Sequence, residues 1–210
     1  MTIDPTNAGA NGLVDRVKNI ILSPKAEWEK IAAEPFDLQK LYVGYVIPLA
    51  ALAAVCGFIG MSIIGVSGFG ISYRVPIVAG VVQAIVQVVL GAAMVYLMAL
   101  VTNALAPNFG SQPDVERAHK LAAYGCTAGF LAGVFAILPP LALLGLVGLY
   151  SLYLIYVGLP VMMKTPQDKV IGYVVVIVLV TIVIGVVLNL VLGTILNTLG
   201  LGVRPPGVAF

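Results

Sequence analysis

The sequence predicts an all-α, polytopic integral membrane protein: a bundle of about five transmembrane helices preceded by amphipathic interfacial helices. Three observations carry that prediction. Of 210 residues, 60% are hydrophobic and only 10% are charged, against roughly 45–50% and about 25% in an ordinary soluble domain. The charges leave five long stretches untouched, each near the ~20 apolar residues that a spanning helix needs. The basic residues, finally, gather on one side of the weave those stretches imply.

With five spans, the N-terminal segment and the loops after the second and fourth spans share one side. That side holds Arg16, Lys18, Lys25, Lys30, Lys40, Arg117, Lys120, Lys164 and Lys169, nine of the eleven basic residues. Arg74 and Arg204 alone fall opposite. The positive-inside rule then puts the N-terminus in the cytoplasm and the C-terminus outside. This arrangement fits the plasma (inner) membrane of a bacterium, and an organelle membrane as well. All nine acidic residues lie on the same side, so net charge is only +2 and gives no reason to expect nucleic acid as a partner.

Residues 1–11, with Pro5, Asn7 and Gly9, read as a flexible tail. Residues 12–40 read as amphipathic cytoplasmic or interfacial helices. Leu13, Val14, Val17, Ile20 and Ile21 recur at helical spacing, while Asp15, Arg16, Lys18 and Asn19 take the other face. Ser23-Pro24 restarts the chain as an N-cap followed by a proline at the first helical position. A second short helix, 25–33, then mixes Trp28 and Ile31 with Glu27, Glu29 and Lys30, a composition suited to a headgroup boundary. Leu13, Val17, Ile20, Ile21, Trp28 and Ile31 thus form an interfacial platform. It either packs on the cytoplasmic end of the first span or docks a partner.

The transmembrane domain, 41–199, is expected to contain spans near 43–66, 75–103, 119–138, 141–163 and 170–199, with 200–210 an extended outer tail. Pro139-Pro140 is the only break between the third and fourth spans, because proline has no amide hydrogen and disfavours helix before it. A tight helical hairpin follows. Thr165-Pro166 repeats the cap-and-proline signature and opens the fifth span. Cys56 and Cys126 fall inside spans at depths differing by about 9 Å, which forbids a disulfide and predicts two buried free thiols.

Gly125, Gly129 and Gly133 recur every four residues on the third span, a surface that lets helix backbones approach closely in lipid. The partner helix is either internal or in a second copy of the chain. Gln83 and Gln87 share a face of the second span about 12–18 Å from its outer end. Tyr150 and Tyr153 sit about 14–18 Å along the fourth span from Leu141. Unpaired amides at that depth are costly, so the Gln pair and the Tyr stripe are expected to meet as an intramembrane polar cluster. The cluster is either structural glue or a path for a small solute.

Enzyme chemistry finds no support in the residues, and no cofactor is expected. His119 is the single histidine, no His/Cys/carboxylate cluster could hold a metal, and no glycine-rich phosphate loop is present. No Asp, Glu, Lys or Arg lies well inside a span, whereas ion-coupled pumps keep such groups there.

Two segments resemble a known family. They are Ile21-Leu22-Ser23-Pro24-Lys25-Ala26-Glu27-Trp28-Glu29-Lys30-Ile31 and Tyr150-Ser151-Leu152-Tyr153-Leu154-Ile155-Tyr156-Val157-Gly158-Leu159-Pro160, followed by Met163-Lys164-Thr165-Pro166-Gln167-Asp168-Lys169. Together they are similar to the bacterial branch of the Yip (Ypt-interacting protein) domain family, over about Leu13 to Leu199. The resemblance implies a five-span domain with a cytoplasmic N-terminus. Eukaryotic members are implicated in vesicle trafficking and bind Rab-type GTPases. Their Asp-Leu-Tyr-Gly-Pro-type motif is represented here only by Asp37-Leu38 and Leu41-Tyr42, so no GTPase-binding residue carries over. The first reading is a non-enzymatic membrane organiser or protein-binding scaffold, with the bilayer, a cytoplasmic or membrane protein, and a second copy as partners. The alternative is a small-solute channel or transporter without buried charged coupling groups, lined by Gln83, Gln87, Tyr150 and Tyr153.

Overall fold

The computed structural model describes residues 10–68 and 71–198. The expected tails, 1–11 and 200–210, therefore lie almost wholly outside the described residues. Helix α1 (Ala10–Leu22) and helix α2 (Pro24–Ala33) form a hairpin ahead of the bundle. Five helical stretches long and apolar enough to cross a membrane follow: Leu38–Ile64, Ile77–Phe109, Val115–Ile137, Leu143–Met162 and Val170–Thr194. The fold is all-α but for one short antiparallel hairpin of β1 (Val66–Gly68) and β2 (Ile71–Tyr73) between the first and second spans.

The first span is not uniformly wound. Pro48 cannot donate to the carbonyl four residues back, and the turn before it slips into π geometry over Tyr42–Val46, with Ile47 N bonding to Tyr42 O. The span closes at Gly65, whose φ of 79° and whose neighbours, the Arg74 side chain and Tyr73 carbonyl, leave no room for a Cβ. At the other ends, Asp37 and Asp114 act as N-caps, accepting from Lys40 N and Arg117 N at 3.0 Å each.

Of the two cap-then-proline signatures, one stands and one is corrected. Ser23 holds the N-cap position, but its side chain makes no capping bond. Hydrogen bonds run through the junction instead, from Ser23 N to Asn19 O and from Glu27 N to Ser23 O. Thr165 does not open the fifth span, which begins at Val170 after a turn closed by Lys169 N on Pro166 O. Its hydroxyl instead meets Ser111 Oγ at 2.9 Å.

The third and fourth spans do form a hairpin, but both arms near its tip are 3₁₀ helix, Gly133–Ile137 and Pro139–Leu149. A 3₁₀ helix rises about 2.0 Å per residue rather than 1.5 Å, so few residues reach far. The tip backbone at Ala136 crosses the first span at Gly60, where a Cβ could not fit. Outward-facing Ile77, Leu143, Ile171 and Val183 are exposed apolar groups, as lipid contact requires. Cys56 and Cys126 are free, with Cys126 Sγ 3.6 Å from Met98 Sδ.

Candidate functional site

One end of the bundle carries the polar chemistry, and hydrogen bonds weld its loops together. Gln112 N donates to Met163 O at 2.9 Å, and Arg117 Nη1 reaches Met162 O at 3.4 Å. Tyr173 stacks on Phe109 with ring centres 4.6 Å apart and donates to Thr102 O. The loop after the second span and the loop after the fourth are thus neighbours, on the side where α1 and α2 sit.

The N-terminal hairpin is locked onto this end by charge. Arg16 on α1 bridges to α2, pairing with Glu27 Oε1 at 2.7 Å and with Glu34, while Lys30 takes the other Glu27 oxygen at 3.2 Å. The Glu27 side chain is only 4% exposed, so its charge needs those partners. Burial works against the charge of Arg16, but the hydrogen bond and attraction of Glu34, with Tyr124 and Glu27, outweigh it and hold its pKa above the ordinary value. The guanidinium also lies 5.6 Å over the Tyr124 ring.

Packing and hydrogen bonds complete the lock. Trp28, Ile31 and Ile20 are fully buried. The Trp28 indole donates to Leu154 O of the fourth span at 3.1 Å and lies against Gly158. Lys120 of the third span donates to Ile31 O and Glu34 O, supplying a cation and partners to the carbonyls that end α2. The amphipathic face therefore packs mainly on the third and fourth spans, rather than on the first.

Beside the lock, aromatic and hydroxyl groups join the first three spans. Thr127 donates to Tyr124 O at 2.7 Å, leaving its oxygen to accept from Tyr45 at 2.7 Å. His119 is buried, 3.0 Å from the Tyr42 hydroxyl, with Phe36 and Tyr96 rings around it. Between α1, the 34–41 connector and the third span an open cleft of about 710 Å³ remains. Arg16, Glu34, Gln39, Lys40, Tyr45 and Lys120 are among its walls.

Of the interfacial platform, Ile20, Trp28 and Ile31 are buried and Leu13, Val17 and Ile21 are half-buried against the same core. The three glycines do not share one neighbour, because the third span turns at Cys126. A Cβ on Gly125 would lie 2.7 Å from Ile155, one on Gly133 would lie 2.6 Å from Ala53, and Gly129 is exposed, its N–H donating to Ser151 Oγ at 2.9 Å.

The expected meeting of the Gln pair with the Tyr pair is corrected. Gln83 and Gln87 line a narrow groove against the first span, with Gly57 and Ser62. Tyr150 donates to Ile21 O of α1 at 2.9 Å and packs on Tyr153 at 5.3 Å. The two pairs face different neighbours: the Gln pair looks onto the first span, and Tyr150 looks onto α1. None of the cavities described among these residues is lined by both pairs.

Sequence reasoning missed Arg16, Lys120, Tyr45 and Tyr124. Lys120 carried a usable signal, being a cation directly before Leu121 and Ala122 at the start of an apolar run.

The model of the Yip1 domain matches residues 18–188. The chain belongs to the Yip1 domain family. It is a multi-pass membrane protein of that family, and both segments that lock the N-terminal hairpin, Arg16 itself excepted, fall within the matched region. Comparison with curated proteins and with solved structures gives no match.

Proposed function

We propose that this Yip1-domain protein is a non-enzymatic membrane organiser that holds a protein partner at its polar end. That end faces the cytoplasm at a bacterial inner membrane, with the C-terminus outside. The observation that carries the reading is the N-terminal hairpin fastened to the third and fourth spans beside an open, mixed-charge cleft. A rigid surface binds with less ordering cost than a mobile one. Both signs of charge line the cleft, with Arg16, Lys40 and Lys120 facing Glu34 and Asp37, which suits a polar protein segment better than a uniformly charged ligand. The charge distribution supports the orientation.

Site-specific photo-crosslinking tests this reading. A crosslinker at Gln39, exposed on the cleft rim, is expected to capture one defined protein, whereas one at lipid-facing Ile171 captures none. Arg16→Gln, which loosens the hairpin, is expected to abolish the Gln39 adduct. Identical adduct patterns at both positions would refute the docking role. Labelling of Gln39→Cys and Arg74→Cys by an impermeant thiol reagent reads the orientation, with only the Arg74→Cys variant reactive from outside.

A further inference from the structure

A second cavity lies under the tip of the N-terminal hairpin. It holds about 500 Å³ and is lined by Ile21, Ala128, Leu131, Leu146, Val147 and Tyr150. Apart from the Tyr150 hydroxyl, which is spent on Ile21 O, those side chains are hydrocarbon. The volume falls in the range that binds small molecules, and in a bilayer the apolar molecule at hand is an acyl chain.

Charge is sorted around that cavity. Lys18 stands three residues before Ile21, hence beside it on the helix surface, and Lys25 lies in the first turn of α2. Both are exposed, and neither forms an ion pair among the described residues. The acids are either spent or farther from the tip. Glu27 and Glu34 are held by Arg16. Asp15 and Glu29 lie about 10 Å and 8 Å along their helices from Leu22 and Pro24. Leu22, at the tip, is 69% exposed, and Tyr153 beside Tyr150 is 42% exposed, the composition of a membrane–water boundary.

We propose that this cavity is a phospholipid site: the acyl chain fills the space under α1, and Lys18 and Lys25 hold an anionic headgroup. The chemistry recognised is a phosphate with net negative headgroup charge joined to a hydrocarbon chain.

Native mass spectrometry of the full chain, released from nanodiscs of mixed phosphatidylglycerol and phosphatidylcholine, tests it. The expected result is preferential retention of phosphatidylglycerol. K18Q/K25Q is expected to reduce that preference roughly 30-fold, at about 1 kcal/mol per lysine, and K18R/K25R to keep it. Val147 is 54% exposed at the cavity wall, so V147W fills the cavity without disturbing the core and is expected to block retention of both lipids. Equal retention of the two lipids by the unaltered chain would overturn the headgroup assignment. Unchanged retention in V147W would overturn the cavity assignment. A lipid-free dimer that V147W dissociates would make a second copy the occupant instead.

Discussion

Replacing Gly158 by alanine tests how α2 is held against the fourth span. A Cβ there would lie 2.7 and 2.8 Å from Trp28 ring carbons and 2.6 Å from Leu121 Cδ1, whereas carbon atoms prefer about 3.5–4.0 Å. The end of Leu121 can rotate away. The indole cannot, because it is fully buried and its nitrogen is tied to Leu154 O at 3.1 Å. Overpacking costs about 1–3 kcal/mol, and losing the indole hydrogen bond adds about 0.5–1.5 kcal/mol. Trp28→Ala alone is expected to cost about 3–5 kcal/mol through cavity formation. In that background the added methyl has room, so Gly158→Ala should then cost under about 0.5 kcal/mol, a coupling of at least about 1 kcal/mol. Reversible unfolding in mixed micelles measures all four corners of this cycle. Additive effects, or a Gly158→Ala cost under about 0.5 kcal/mol by itself, would refute the packing argument.

Arg16→Gln leaves the buried Glu27 carboxylate with only the exposed Lys30 as an ion partner and is expected to cost about 1.5–3 kcal/mol, part of it recovered in Arg16→Gln/Glu27→Gln; unfolding midpoints check both. Gly125→Ala is expected to destabilise by about 1–3 kcal/mol through Ile155, while Gly129→Ala, whose Cβ would meet only Ser151 Oγ at 3.5 Å, should be near neutral. Gln83→Leu and Gln87→Leu are expected to leave solute flux into proteoliposomes unchanged and stability equal or higher, since each removes an exposed amide from the hydrocarbon depth.

The spans were legible because hydrocarbon thickness forces long uncharged runs, and Pro139-Pro140 marks the single interruption between two of them. That the N-terminus and the loops after the second and fourth spans are neighbours follows from alternation, since every second crossing returns the chain to its starting side. The covering of the platform was not legible. Ile20, Trp28 and Ile31 announce an apolar face, but lipid and protein both satisfy such a face in a membrane, and periodicity cannot tell them apart. Glu27 beside Trp28 held the better clue, because a carboxylate on a face about to be buried demands a cation, and Arg16 lies on the preceding helix. Ser23 and Thr165 share a signature but not a role, for only Ser23 holds an N-cap position. Both have the cap-then-proline composition, yet the chain hydrogen-bonds straight through Ser23 and uses Thr165 to tie two loops. The Gln and Tyr pairs do not meet because similar depth says nothing of which way a helix face turns: the Gln pair faces the first span and Tyr150 faces α1.

Hydrogen exchange of the full chain in nanodiscs addresses the locked hairpin most directly. The amides of 27–33 are expected to exchange as slowly as those of 154–162 in the fourth span, because Trp28, Lys120 and Arg16 bind α2 into the same cooperative unit. Exchange of 27–33 at rates near those of an isolated short helix, with the fourth span still protected, would contradict it.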